Sequence, residues 1–355
     1  MTVVDTPKEV RSGEELDIPR LSEFLKKNIP GITGSVSVKQ FPSGFSNLTY
    51  LVTAGDREFV LRRPPFGRKA KTAHDMSREY RILKALHPVF GYCPRPVLFC
   101  DDHSVLGCDF YVMERIVGVI PRKDFDDELA LSASDARKLC ENSIDVLCNL
   151  HAVDYNAVGL GDLGRPEGYV RRQVEGWSRR YRDAMTDDAP DFEDVMQWLA
   201  DNMPEDTDRP CIIHNDFKFD NLVLEPGSPT KIIGLLDWEM ATIGDPLMDL
   251  GSSLGYWVER DDPEEQQMIR MLPTTHDGMM TRREVVDCYL EKSGRHVDDF
   301  NFYYVFGTFR LAVIAQQIYY RYYHGQTRDE RFGLLIAAVE VLERVALRAM
   351  ERSQF

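Results

Sequence analysis

Long apolar runs, paired cysteines and an excess of positive charge are all missing from this 355-residue chain. Its richest apolar stretch, from Phe309 to Tyr320, is interrupted by Arg310 and two glutamines and falls short of the ~20 apolar residues that a membrane-spanning helix needs. Seven cysteines without a Cys-x-x-Cys pair argue against a disulfide framework and against a structural zinc site. We therefore expect no membrane span and mostly buried thiols.

The charge balance is acidic, with 43 Lys and Arg against 58 Asp and Glu and a formal net charge of −15. Such a chain has no general attraction to nucleic acid or to an anionic membrane, so any phosphate site must be a local basic pocket. Residues 1–5 lack the basic start and apolar run of a secretory signal. We expect a soluble, cytoplasmic protein without nucleic-acid or membrane partners, and we leave its oligomeric state open.

One segment carries the residues of a catalytic centre: His214-Asn215-Asp216-Phe217-Lys218-Phe219-Asp220-Asn221, followed by an apolar strand and then Asp237. Phosphoryl transfer needs a carboxylate that accepts the proton of the attacking hydroxyl and oxygen ligands that hold Mg²⁺ on the triphosphate. Asp216 suits the first task. Asn221 and Asp237 suit the second, because Mg²⁺ takes hard oxygen ligands. The spacing predicts transfer of phosphate from ATP, with Mg²⁺ as the cofactor.

Each of these residues has a simpler interpretation when it is taken alone. Asp216, Asp220 and Asn221 could be turn formers that hydrogen-bond their own backbone. The complete octapeptide, with strand patterns on both sides and a downstream Asp after another strand, argues against coincidence.

The chain resembles the aminoglycoside phosphotransferase family of small-molecule kinases, which is similar to choline kinases and shares the protein-kinase fold. The motifs that carry this resemblance are His214–Asn221, Asp237-Trp238-Glu239 and Gly244-Asp245-Pro246-Leu247-Met248-Asp249-Leu250. The branch whose kinase-like domain is fused, in some animals, to an acyl-CoA dehydrogenase is similar at Arg62–Gly67, Ala73–Tyr80 and Gly168–Gln173. In protein kinases a Lys at the place of Lys218 neutralises the γ-phosphate, which implies the same role here.

The resemblance implies an α+β, two-lobed, protein-kinase-like fold. Residues 1–115 would form a small nucleotide-binding lobe with an antiparallel sheet, and residues 116–355 a larger, mainly helical lobe that carries catalysis and acceptor binding. The pattern agrees, since strand signals precede Gly118 and helical spacing follows it. Helix starts are predicted at Ser132, an N-terminal cap with Asp135 three residues later, at Thr281, which forms a capping box with Glu284, and at Asp245-Pro246.

The nucleotide side of the site is predicted from three places in the first lobe. Gly44, Ser46 and Asn47 lie between two strands, where kinases fold a loop over the phosphates, although an ordinary hairpin turn would look the same. Arg62 takes the strand position where the family usually has a phosphate-binding Lys paired with a helix Glu, here Glu79. Guanidinium is larger and forked, so phosphate placement can differ, and an exposed Arg in solvent is the alternative.

The third place in the first lobe is the segment that contains Glu114 and Ile116. It resembles the strand and hinge that join kinase lobes. Backbone groups of Glu114 and Ile116 would read the edge of the adenine base. An edge strand that enters a loop is the alternative, and side-chain identity does not decide between them.

These predictions combine into a small-molecule kinase that transfers the γ-phosphate of ATP to an alcohol, with a hydroxyacyl-CoA or a similar anionic alcohol as acceptor. Two alternatives stay open: a nucleotide-binding pseudokinase or interaction module, for which Arg62 is the signal, and an aminoglycoside-type antibiotic kinase. Arginines 171, 172, 179, 180 and 182 suggest an anionic acceptor if they border the cleft, and a solvated helix face if they do not.

Overall fold

The computed structural model describes residues 6–41, 47–66, 75–125, 129, 131–327, 329–351 and 355. The elements up to Glu114 are, in chain order, α1 (Ile18–Asn28), β1 (Val36–Gln40), β2 (Leu48–Ala54), β3 (Arg57–Arg63), α2 (Met76–Leu86), β4 (Pro96–Cys100), α3 (His103–Leu106) and β5 (Phe110–Glu114). Those that follow are α4 (Ala133–His151), α5 (Tyr169–Asp183), α6 (Glu193–Asp201), β6 (Cys211–Ile213), β7 (Leu222–Glu225), β8 (Ser228–Leu235), β9 (Thr242–Gly244), α7 (Pro246–Leu254), α8 (Glu264–Met268), α9 (Arg282–Ser293), α10 (Asn301–Tyr323) and α11 (Leu335–Met350).

A five-stranded antiparallel sheet contains the early strands, in the order β1-β2-β3-β5-β4. Its strands are rich in the β-branched and aromatic residues that suit a pleated surface. Tyr50 of β2 and Leu61 of β3 are fully buried and share one core cluster with Leu25 of α1. The register places Arg62 of β3 opposite Tyr111 of β5. The sheet thus holds Arg62 on a central strand rather than on an exposed loop.

The predicted helix starts at the two capping boxes are confirmed. Ser132 and Asp135 exchange side-chain and backbone hydrogen bonds at the start of α4, and Thr281 and Glu284 do the same at the start of α9. Each box satisfies backbone N–H groups that the first turn of a helix leaves without a partner.

Helix α7 begins at the predicted Asp245-Pro246 pair, where the Asp245 side chain accepts a hydrogen bond from the Leu247 amide at 2.7 Å. Farther along, α7 touches α10 backbone to backbone. A Cβ atom built on Gly307 would lie 1.9 Å from the carbonyl oxygen of Gly251, so both positions require glycine. This contact draws α10 against the helix that follows the Asp237 motif.

Two elements differ from the sequence predictions. The sequence predicts a helix over the apolar stretch Phe309–Tyr320, but α10 begins earlier, at Asn301, because its first turns are also buried and apolar. The four-residue α3 was not predicted; its signals are an Asp102 cap and a left-handed Gly107 at its end, which are too short a pattern to tell from a turn. The sequence also predicts a helix over about 72–86, and the first residues of that range, 72–74, lie outside the described residues.

The chain divides into two compact units. The first combines the residues up to Ile120 with Leu222–Glu239, and so contains the five-stranded sheet and the β7–β8 hairpin. The second combines Pro121–Asn221 with Met240–Phe355 and contains the helices from α4 onward and the short β6–β9 pair. Within the described residues we find no helix with the length and apolar character that spanning a bilayer requires. This division into a sheet-based and a helical unit confirms the α+β class.

Candidate active site

The octapeptide forms a loop of the second unit that leaves strand β6 and ends in a single 3₁₀ turn. His214 is fully buried, and its Nδ1 lies 3.3 Å from the amide nitrogen of Asp216, from which it accepts a hydrogen bond. Asn215 adopts a left-handed backbone with φ of 62°, a conformation that Asn tolerates better than most residues. His214 therefore braces the loop, and the turn at Asn215 sets the direction of Asp216.

A buried carboxylate holds the backbone of this loop in place. Asp249 of α7 is 0% exposed, and it accepts hydrogen bonds from the amides of His214 at 2.8 Å and Asn215 at 2.7 Å. Its Oδ2 also lies 3.1 Å from Nε2 of His151, whose Nδ1 lies 2.7 Å from the Tyr289 hydroxyl. Since a carboxylate can only accept, Nε2 carries the proton and Nδ1 accepts from Tyr289.

The charge state of this buried group follows from its hydrogen bonds. Burial alone would raise the pKa of Asp249, but the hydrogen bonds from His151 and His214 bring that pKa below its ordinary value. Burial lowers the pKa of His151. At neutral pH the loop is thus fixed by an ionised Asp249 and a neutral His151.

Asp216, Lys218 and Asn221 lie together on the loop. The Lys218 ammonium is 3.2 Å from Oδ2 of Asp216 and 3.7 Å from Oδ1 of Asp220. Asn221 donates its amide protons to Oδ2 of Asp216 at 2.9 Å and to the Asp216 carbonyl at 2.8 Å. Burial alone would lower the pKa of Lys218, but Tyr256, Asp216 and Asp220 raise it above its ordinary value. The loop therefore presents one oriented carboxylate beside one fixed positive charge.

Asn215, the residue before that carboxylate, is held from three further directions. Arg310 of α10 donates to its carbonyl oxygen, and the Tyr169 hydroxyl donates to its Oδ1 at 3.4 Å. Its own Nδ2 donates to the Met240 carbonyl at 3.1 Å. The position of Asp216 is thus determined by elements from α5 to α10.

A second cluster of predicted residues lies in the first unit and centres on Arg62. The buried Arg62 guanidinium lies 2.8 Å from Oε1 of Glu79, 3.0 Å from Oδ1 of Asp237 and 3.4 Å from Oε2 of Glu239. The predicted Arg62–Glu79 pair is therefore present. Asp237 has a left-handed backbone with φ of 66°, which is strained for a residue with a side chain.

Burial shifts the pKa values of the groups in this cluster. It raises the pKa of the Glu79 carboxyl, and the Arg62 charge works against that rise. Burial would lower the pKa of Arg62, but Glu79 and Asp237 lift it well above its ordinary value. Arg62 stays charged, and three carboxylates share its guanidinium.

The other predicted nucleotide contacts have different outcomes. Asn47 is buried and donates to Oε2 of Glu239 at 2.8 Å, which ties the end of the predicted phosphate loop to the Asp237 motif. Gly44 and Ser46 lie outside the described residues. Glu114 ends β5, where its amide donates to the Arg95 carbonyl at 2.9 Å, and Ile116 packs close to Gly234 of β8. Adenine recognition at Glu114 and Ile116 stays a prediction.

Sequence reasoning gave no role to Asp249 or Arg310. Asp249 is the last acid of the Gly244–Leu250 motif, but an acid in the first turn of a helix is usually exposed. In the sequence, Arg310 interrupts an apolar run. A charged residue inside an otherwise buried helix was the available sign that it has a specific partner.

Comparison with known proteins supports this description. The profile of the phosphotransferase enzyme family (APH) matches residues 37–278. A protein from Ralstonia eutropha, provisionally described as an aminoglycoside phosphotransferase, is 29% identical with a TM-score of 0.79 over 95% of this chain and 99% of its own. Choline kinase from Cryptosporidium parvum is 12% identical, with a TM-score of 0.63 over 94% of this chain and 95% of its own; that likeness concerns the fold alone.

Two curated relatives extend the comparison. Acyl-CoA dehydrogenase family member 11 of Rattus norvegicus is 32% identical over 99% of this chain and 46% of its own length. Family member 10 of Mus musculus is 35% identical over 86% of this chain and 29% of its own length. The chain thus spans less than half the length of these relatives. The solved neighbours confirm the predicted two-lobed, protein-kinase-like fold, and the match over residues 37–278 shows that the chain belongs to the phosphotransferase enzyme family.

Proposed function

We propose that this protein transfers the γ-phosphate of ATP to a hydroxyl group of a small molecule. The observation that carries the proposal is the arrangement of Asp216, whose carboxylate is oriented by Asn221 and paired with Lys218 at 3.2 Å. A carboxylate fixed in this way can align an alcohol and accept its proton as the new P–O bond forms. Lys218 then offsets negative charge on the phosphoryl group during transfer.

The residues fit Mg²⁺ as the cofactor. The hydrogen bonds of Asn221 use both protons of its amide group, so its Oδ1 is oriented as the atom that can act as a ligand. Around Arg62, the carboxylates of Glu79, Asp237 and Glu239 outnumber the guanidinium, and that excess of negative charge favours a cation at Asp237. When bound, Mg²⁺ would neutralise charge on the triphosphate oxygens.

Few protein ligands are needed for this ion. No group of three or more His, Cys, Asp or Glu residues that could hold a metal occurs in the described part of the chain. Mg²⁺ keeps several waters and is commonly held by one or two carboxylates together with phosphate oxygens. We therefore propose Asn221 and Asp237 as its protein ligands.

For the acceptor, we propose a hydroxyacyl-CoA or a similar anionic alcohol. The relatives that carry an acyl-CoA dehydrogenase name support this class. The arginines of α5 lie at exposed positions, and Arg171 and Arg182 pair with Glu175 and Glu193. An aminoglycoside acceptor would be a polycation, which cationic side chains repel. A pseudokinase or binding module is the remaining alternative; Asp216, Asn221 and Asp237 would then have no catalytic task.

The test is an Asp216→Asn variant assayed with γ-labelled ATP against hydroxyacyl-CoA thioesters, kanamycin and choline. Turnover should fall by about 10²-fold or more while ATP binding is kept, because Asn cannot accept the proton. Asp201→Asn, which makes the same change at an exposed site on α6, is the matched control. Near-normal turnover in Asp216→Asn would remove that residue from its role, and phosphorylation of kanamycin or choline alone would rule out the anionic acceptor.

A further inference from the structure

Two guanidinium groups share one tryptophan ring beside the catalytic loop. The Arg180 guanidinium of α5 lies 4.7 Å from the ring centre of Trp177, and that of Arg310 of α10 lies 5.1 Å from the same centre. Trp177 is itself buried. The Arg310 charge acts on Arg180, and an anion near both groups would offset the repulsion between them.

Arg310 has an unusual environment for a buried arginine. It is 2% exposed, yet no carboxylate of the described residues lies within ion-pair distance of it. Its Nη2 donates to the Asn215 carbonyl and approaches the Met240 sulfur at 3.5 Å. Its Nε and Nη1 have no partner among those residues and are not among the buried nitrogens sealed from solvent. Nε and Nη1 of this guanidinium therefore keep a small accessible surface although the residue as a whole is buried.

Arg180 lies at an exposed position of α5. It makes no ion pair with any described carboxylate, whereas Arg182 on the same helix pairs with Glu193 at 2.6 Å. Partial burial lowers the pKa of Arg180, and the charges of Arg179 and Arg310 lower it further. An oxyanion near Arg180 and Arg310 would relieve both the desolvation and the repulsion.

We propose that Arg180 and Arg310 form a binding site for an oxyanion of the acceptor, either a carboxylate or a phosphate. This inference rests on the proposed function, because Arg310 also holds Asn215, the residue before Asp216. Arg310 then contacts both the anion and the residue before Asp216, and so it holds the anionic end of the acceptor in a fixed position relative to Asp216. The site selects hydroxylated acids over neutral alcohols and amines, and Arg180 determines that preference.

The experiment compares two matched pairs of acceptors. The first pair is a hydroxycarboxylic acid and its uncharged carboxamide; the second is a hydroxyacyl-CoA and the same acyl group on pantetheine, which lacks the nucleotide phosphates. For each pair, kcat/KM and the affinity for protein saturated with Mg²⁺ and a non-hydrolysable ATP analogue are measured. The occupied nucleotide site prevents the anions from binding there.

In wild type the anionic member of at least one pair is preferred, and Arg180→Gln reduces that preference about 10-fold or more, since charge-assisted hydrogen bonds are lost. Arg179→Gln removes the same charge from the neighbouring exposed position and leaves the preference within about twofold. Arg310 is kept intact because it also holds the loop. A change in the first pair identifies a carboxylate, and a change in the second identifies a phosphate.

Failure of each proposal is distinguishable. Equal preferences in wild type and Arg180→Gln for both pairs overturn the anion site, even if the enzyme is active. If wild type phosphorylates none of the four compounds, the proposed anionic acceptor fails, and the affinities alone decide the anion site. An anionic compound that then binds no more tightly than its neutral counterpart overturns it.

Discussion

Arg62 lies at a position where the family usually has a lysine, and the two side chains differ in their chemistry. A lysine ammonium is a compact point charge, whereas guanidinium is a planar fork that can serve several acceptors at once. Here the fork contacts Glu79, Asp237 and Glu239. Since Asp237 is a proposed Mg²⁺ ligand, Arg62 competes with the ion for the oxygen that it contacts.

Removal of the Arg62 charge should destabilise the protein strongly. Arg62→Met leaves Glu79, which is 2% exposed, as an uncompensated buried carboxylate, and breaking such a pair costs about 3–5 kcal/mol. Arg62→Lys should lose much less, because it restores a charge near Glu79. The free energy of unfolding from urea titration is the measurement. Lys39→Met on exposed β1 is the control and should change it by about 0.5 kcal/mol or less.

The residue-level predictions succeeded where the partners are close in sequence. Asp216, Lys218 and Asn221 belong to one loop, so a local motif could predict that they lie together, and their catalytic roles stay predictions. Arg310 reaches Asn215 across 95 residues of sequence. No local pattern carries that information, because such a contact depends on how α10 packs.

Helix ends were predictable because capping depends on neighbouring residues. The side chains of Ser132, Thr281 and Asp245 each bond backbone amides within three positions. Strand β6 lies where a strand pattern precedes the octapeptide, but its pairing with β9 was not predicted, since β9 has only three residues and lies far from β6 in sequence. The full length of α10 was also missed, because its buried first turns have no one-sided apolar pattern.

The cap of α7 should make stability depend on pH. Burial raises the pKa of Asp245 from 3.8 to about 6, although the Leu247 and Met248 amides oppose the rise. The folded state therefore holds this proton more tightly than the unfolded chain does. The resulting stabilisation is complete below pH 3.8 and is lost as pH rises through about 6, with an upper limit of about 3 kcal/mol.

Asp245→Asn isolates this effect, because Asn keeps the capping oxygen and does not titrate. The free energy of unfolding of wild type minus that of the variant should decrease from pH 4 to pH 7. Urea titrations at several pH values provide the measurement. A difference that is constant over this range would mean that Asp245 keeps an ordinary pKa in the fold.

At the scale of the whole molecule, nucleotide binding should appear as metal-dependent thermal stabilisation. If Asp237 is a Mg²⁺ ligand, ATP raises Tm strongly with Mg²⁺ and weakly without it, since a ligand at 100 times its Kd adds about 2.7 kcal/mol. Asp237→Ala should lose the Mg²⁺-dependent part. An equal shift in wild type and variant would place the metal elsewhere. Asp201→Asn again serves as the control.

The arrangement of the chain into units could be anticipated only in part. Strand signals before Gly118 and helical spacing after it indicated two regions, and the boundary at residue 115 stays a prediction. The sheet-based unit also includes Leu222–Glu239. This segment contains the β7–β8 hairpin and directly follows the His214–Asn221 loop. A linear reading of the sequence assigns that hairpin to the helical region, because chain order alone does not show which core buries it.

The anchoring of the His214–Asn221 loop on Asp249 has a calorimetric consequence. Because His214 and Asn215 already give their amides to this buried carboxylate, the loop needs no ordering when an acceptor arrives. The heat-capacity change of acceptor binding should then reflect only the apolar surface that the acceptor itself covers. It should lack the larger negative contribution of a segment that folds on binding.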